Sequence, residues 1–293
     1  MASEGDRRGD LEIAPRRSRI LDVTGSGNDG RRGLVIALIS TVIFLLLVGF
    51  AISRAPGWQE VRRAFFDWGY FKESFPEIAR AFMLNVKIFM IAEVFILVFA
   101  LLLAVLRSLP GPVFFPLRAF AVVYTDFFRG VPTILVITLL GFGAPALQLQ
   151  GIPTSTTFWG IVALVLVYSA YVSEVYRAGI ESVHPSQEMA ARSLGLSRGQ
   201  TLRRVILPQA VRRVIPPLLN DFIGLQKDTA LVGTLGAVEA FQQAQIDANA
   251  TFNYTALLAA AVLFVAITIP LARFTDWLIL RDRRRREASG TLA

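Results

Sequence analysis

Lys227 and Asp228 stand side by side inside a stretch, 214–238, that is otherwise apolar except for Asp221. An ammonium and a carboxylate there offer donors and an acceptor to a small zwitterion. Adjacent residues on a helix point about 100° apart, so the two cannot simply neutralise each other. Either the helix is interrupted, as Gly224, Gly233 and Gly236 permit, or each charge finds a partner elsewhere. Thr229 follows with a hydroxyl. Glu93 lies in a second apolar stretch, 81–106, so two readings stand: a solute pathway, or a structural pair such as Glu93 with Lys227. Glu174 and Arg177, spaced i,i+3, read either as a snorkelling pair or as a gate.

The elements that hold these charges are set by hydropathy. The chain has 293 residues, 54% hydrophobic, with no cysteine; its mean hydropathy is +0.54. This composition excludes disorder, a disulfide scaffold and a cysteine-based zinc or redox site. A bilayer core takes roughly 20 apolar residues per helix. Leu34–Ile52, Ala81–Leu106, Val131–Leu147, Thr157–Ser173, Val214–Val238 and Tyr254–Ala272 fit, which gives six expected spans in an all-α polytopic protein. Charged groups at such depth cost about 2.5–3.5 kcal/mol each on insertion scales, so they are functional candidates by default.

The net charge of +8 does not point to nucleic acid, because the arginines cluster beside apolar stretches and not along one face. Seven lie between Arg177 and Arg213, others at Arg107 and Arg118 and at Arg283–Arg286, while 148–156 and 239–253 contain no basic residue. The rule that Lys and Arg accumulate on the cytoplasmic side places both termini inside. Residues 1–33 read as a disordered basic arm, 34–52 as a first transmembrane helix, 53–79 as an aromatic interfacial segment outside the membrane, and 281–293 as a basic tail. The competing reading of 53–79 is an outer loop that docks a partner. Pro110, Pro112 and Pro116 mark 107–129 as an inner elbow, with Arg129 an interface anchor.

The connection 181–213 reads as two short helices. Ser186 can cap the first, with Glu188 in its first turn and Gly195 as its stop. Ser197 and Gln200 have capping-box spacing and open a second helix running to Pro208. Ala190 and Ala191 give a low-relief surface for another protein, although a hairpin held to anionic lipid by Arg192, Arg198, Arg203 and Arg204 is equally consistent with these residues. His184, the only histidine, has no candidate metal partner and receives no role.

Glu188-Met189-Ala190-Ala191, Gly195 and Val205-Ile206-Leu207-Pro208 resemble the EAA loop of membrane subunits of ABC importers, whose pattern is E-A-A, three residues, Gly, nine residues, I-x-L-P. Met189 holds the family's glutamate position, with Glu188 one residue early, and Val205 stands for the isoleucine. Phe128-Arg129-Gly130-Val131-Pro132, Ala170-Tyr171 through Ile180, and Leu225-Gln226-Lys227-Asp228-Thr229-Ala230-Leu231 are similar to the polar amino acid branch of that family.

The resemblance implies a five-helix permease core over 80–280, with 34–52 an additional helix. It also implies a second permease subunit, identical or sibling, two copies of an ATP-binding subunit, an extracytoplasmic amino-acid-binding protein, and Glu188–Gly195 as the coupling helix that enters a groove on the ATPase. No cofactor is expected, and no catalytic residue in this chain. The P-loop pattern GxxxxGK[ST] is missing, so energy must come from another chain. An intramembrane protease is disfavoured: HExxH is lacking and Gly25-Ser26-Gly27 lies in the arm. The alternative from another class is a secondary amino acid transporter, which would leave the docking loop idle and usually shows two related halves; no internal repeat is evident.

Overall fold

A computed structural model describes residues 28–148 and 150–288. Of the expected arm 1–33, residues 1–27 lie outside the described residues, as do 289–293 of the expected tail, while residues 28–33 and 281–288 are helical, each continuing the neighbouring apolar helix. Among the described residues, every regular element is helical.

The first, α1 (Asn28–Arg54), carries an apolar window of membrane length with no side chain of it buried, the surface expected of a helix whose surroundings are as apolar as itself. The segment 53–79 forms a short helix, α2 (Trp58–Phe65), with no buried residue, followed by the first turns of α3 (Trp68–Ser108). Asp67 starts α3 early, because its carboxylate accepts the Tyr70 N–H at 3.1 Å and so satisfies one orphan donor. The 41 residues of α3 present Ile78, Phe82, Asn85, Phe89, Ala92, Ile96, Ala100 and Leu103 to the interior at three- and four-residue spacings.

The elbow is shorter than expected. It is confined to the residues from Leu109 and a 3₁₀ turn at Pro112–Phe114, after which α4 (Phe115–Gly130) is helical. Pro116 sits in the first turn, where a missing N–H costs nothing, so these prolines begin a helix and do not prevent one. The following α5 (Thr133–Ala146) is too short to cross alone and is bent by 101° from α4. Pro132 causes the break: it forces Val131 into an extended conformation, φ −95°, ψ 134°.

The long helix α6 (Thr156–Glu181) is capped by Ser155 and buries Leu164, Val167 and Tyr168 alongside small residues, Gly160, Ala163, Ala170 and Ser173, which let neighbouring helices approach closely. Its partners are α3, α5 and α9 (Leu207–Asp228). The expected span 214–238 is broken: α9 ends at Asp228, a 3₁₀ segment covers Thr229–Leu235, and Gly236 turns the chain with φ +86°. After it come α10 (Ala240–Thr251) and α11 (Thr255–Ala288). Alanines of α10 and α11 pack on Ile78 and Phe82 of α3. The result is an all-α membrane protein in which, among the described residues, four helices are long and apolar enough to cross, or five when the bent α4–α5 pair is taken as one span.

Candidate functional site

The charged residues of α9 sit where its helix stops. Asp228 accepts a hydrogen bond from the Tyr168 hydroxyl of α6 at 2.9 Å. Lys227 is exposed and points into an apolar hollow of about 320 Å³ shared with Ala230, Phe241, Leu257 and Phe264. The two neighbours therefore diverge, as helical geometry requires. The expected pair between Glu93 and Lys227 does not form: among the described residues neither side chain makes an ion pair. The physical reason is rotational, since Lys227 leaves α9 on the side of α10 and α11. One oxygen of Asp221 is buried without a hydrogen-bond partner.

Thr229 is fully buried, and it is held by a network that sequence reading missed. The Asn85 amide of α3 donates to the Thr229 hydroxyl at 3.1 Å and to the Glu239 carboxylate at 2.9 Å. Its carbonyl accepts the Ala240 N–H at 3.1 Å. Glu239 in turn caps α10, accepting the Phe241 and Gln242 N–H groups, each at 2.9 Å. Two polar side chains inside the bundle thereby satisfy the free N–H groups of a buried helix start and fix the non-helical segment after Asp228. Gly233 is required here, because a Cβ at that position would fall 2.3 Å from a Glu239 oxygen. The signal for Asn85 was a lone uncharged polar residue on the buried stripe of α3.

At the far end of α6, Glu174 and Arg177 pair as expected, and the structure adds two members. Arg107 of α3 donates to Glu174 at 2.8 Å, and Arg177 also bonds Glu181. Arg129 stacks over Tyr171, its guanidinium carbon 5.9 Å from the ring centroid. These groups lie apart from the Asp228 cluster, toward the α6–α9 connection.

That connection contains α7 (Pro185–Ser193) and α8 (Arg198–Thr201). The cap of α7 is His184 and not Ser186: its ring nitrogen accepts the Ser186 N–H at 3.2 Å. Pro185 then occupies the first turn, which moves the start two residues earlier than expected. Gly195 ends α7 at φ +84°, and the Gly195 and Leu196 N–H groups bond the Arg192 and Ala191 carbonyls, a Schellman closure. The Ser197–Gln200 capping box is present with both bonds. The second helix does not end at Pro208, however. A π turn over Leu202–Ile206 shifts the hydrogen-bond ladder, so the proline ring enters α9 without opposing a carbonyl one turn back.

The outer face of α7 also differs from expectation. Ala191 is 5% exposed, packed inward, whereas Ala190 is exposed together with Met189 at 63% and Leu194 at 84%. Glu188 is half-buried, and Leu207 and Pro208 are exposed. The knob thus presents methionine and leucine around one alanine, flanked by Arg192, Arg198, Arg203 and Arg204.

A polytopic bundle with charges where a helix breaks and a two-helix knob between two long helices defines a membrane transport subunit. Residues 109–285 match the family of binding-protein-dependent transport system inner membrane components, and the chain belongs to it. It is 35% identical over 204 residues to the probable amino-acid permease protein YxeN of Bacillus subtilis, covering 69% of this chain and 90% of the relative. It is 33% identical over 213 residues to the probable amino-acid ABC transporter permease protein PatM of Vibrio harveyi, covering 72% and 94%. Among solved structures, an amino acid ABC transporter crystallised with histidines matches with a TM-score of 0.66 and 28% identity over 74% of this chain and 98% of that one. The inward-facing MetNI methionine transporter shares the fold, with a TM-score of 0.56 and 18% identity over 70% and 95%. The chain is therefore a membrane permease subunit of an ABC-type importer, with ATP hydrolysis residing in a separate subunit.

Proposed function

We propose that this subunit carries a polar amino acid across the cell membrane into the cytoplasm. The supporting observation is that helix continues without a loop from Arg198 beside the knob to Lys227 and Asp228. Its relatives' names as amino-acid permeases favour the substrate class. Both termini lie in the cytoplasm, residues 80–280 act as a five-helix core, and 34–52 is an additional helix preceding it. Two ATP-binding subunits, a second permease copy or sibling and an extracytoplasmic amino-acid-binding protein complete the transporter.

In this reading Met189, Ala190 and Leu194 seat in a groove of the ATPase, with Glu188 at the rim and Gly195 fixing the turn behind them. Closure of the nucleotide sites moves the knob as a rigid body, and Leu207 and Pro208 pass that motion into α9. Lys227, Asp228 and Thr229 meet the zwitterion, while Glu93, Glu174 and Arg177 line the route inward. Two membrane states with different contacts are all that such a mechanism requires.

Proteoliposomes containing the chain, candidate ATPases and candidate binding proteins should take up labelled polar amino acids only with ATP. Uptake driven by an ion gradient in the absence of ATP would refute the reading.

A further inference from the structure

Three arginines from three helices converge on a cleft of about 630 Å³ between α3, α4 and α6: Arg107, Arg118 and Arg177. Arg118 is pinned by two bonds from the same nitrogen, to the Leu109 carbonyl at 2.6 Å and the Gly111 carbonyl at 2.8 Å. Its Nε and second terminal nitrogen have no partner among the described residues, and the same holds for Arg107, whose one bond runs to Glu174. Arg177 is fully engaged by Glu174 and Glu181. Three cations against two carboxylates leave the cleft with a surplus positive charge, carried by donors that point nowhere within the protein.

The remaining walls are apolar, among them Ala119, Val122 and Val123. Val113 of the 3₁₀ turn and Phe115 and Val123 of α4, 83%, 64% and 67% exposed, extend that apolar surface. Arg107 lies in the last turn of α3, so the cationic end is at the level of lipid headgroups and the apolar wall runs from it toward the bilayer centre. A cation pair at headgroup depth above an apolar strip matches a phosphate ester that carries a net negative charge and an acyl chain.

We propose that this cleft seats an anionic phospholipid, its phosphate between Arg107 and Arg118 and an acyl chain along Ala119, Val122 and Val123. The assignment to the cytoplasmic leaflet rests on the orientation proposed above; the site itself does not.

The test is native mass spectrometry of the full chain in detergent, titrated with phosphatidylglycerol and with phosphatidylcholine. The wild type should retain phosphatidylglycerol in preference. R118Q removes one charge near the surface and should weaken that retention about fivefold. Because R118Q also loosens the elbow, A119W serves as the second variant: it keeps all three arginines, fills the cleft and should abolish the preference. E181Q should act in the opposite direction and strengthen retention. Equal retention of both lipids by the wild type, or an unchanged preference in both A119W and R118Q, would overturn the proposal, as would crosslinks from position 119 to a second copy of the chain. Uptake is not read in this experiment, so a failure of the amino acid assignment would leave its outcome unaffected.

Discussion

Asn85 and Glu239, 154 residues apart in the chain, meet at 2.9 Å in the interior of the bundle. This contact joins the longest helix to the cap of α10 and encloses Thr229 between them. Replacing Asn85 by alanine leaves the Ala240 N–H without a partner and removes one bond each from the Thr229 hydroxyl, which keeps the Gln226 carbonyl at 2.8 Å, and from the Glu239 carboxylate, which keeps the Phe241 and Gln242 N–H groups, a loss of roughly 1–3 kcal/mol. Thermal unfolding of the purified N85A protein in detergent should show a lowered midpoint. G233A should do the same by pushing the Glu239 carboxylate off the start of α10. A midpoint equal to wild type in both variants would contradict the network.

Lys227, like Lys87 of α3, makes no ion pair among the described residues, so removing its charge breaks no salt bridge. K227M should therefore assemble normally and retain basal ATP hydrolysis in the complete transporter while losing uptake. Undiminished uptake of labelled amino acid by K227M would take this residue out of the pathway.

The two alanines of the knob behave differently. Ala190 is exposed and Ala191 is 5% exposed. Because the protein has no cysteine, single-cysteine variants report cleanly. A190C should label with maleimide and crosslink to the ATPase, whereas A191C should resist both. L194D, which places a charge on the most exposed leucine of the knob, should weaken copurification of the ATPase by tenfold or more, about 1.4 kcal/mol. Crosslinks from A190C to lipid reagents alone would show that the knob lies on the membrane.

Gly195 at φ +84° holds a conformation that costs an L-residue about 1–2 kcal/mol. G195A should leave the global unfolding midpoint nearly unchanged, because the bundle does not depend on this turn. Hydrogen exchange in 185–201 should nevertheless speed up, with ATP-driven uptake reduced.

The proposed orientation is testable in the same cysteine-free background. S193C should react with a membrane-impermeant thiol reagent only in inverted vesicles, and a cysteine replacing Gln150 only in right-side-out cells. The reverse pattern would refute the proposed sidedness.

Much of the fold is legible in the sequence, because apolar length and charge clusters are properties of a chain segment by itself. The Gly195 stop and the Ser197–Gln200 box were readable for the same reason: each closes within a few residues. The prolines near α4 misled, since Pro116 is as compatible with the first turn of a helix as with an elbow. The His184 cap was overlooked because histidine is an uncommon residue for that task. Asn85, Tyr168 and Arg107 acquire their partners only through the approach of distant helices, and no local spacing announces them. The resemblance to the family rests on order: four fragments, each weak alone, occur in sequence along the chain.

One consequence follows from the π turn ahead of Pro208. Because the chain stays helical between Arg198 and Asp228, that length of about 45 Å would serve the proposed coupling as a connecting rod. In the proposed mechanism a displacement at the capping box is carried by helix as far as Asp228, past Pro216 and Pro217, where two backbone donors are missing, and the helix gives way only at the 3₁₀ segment Thr229–Leu235.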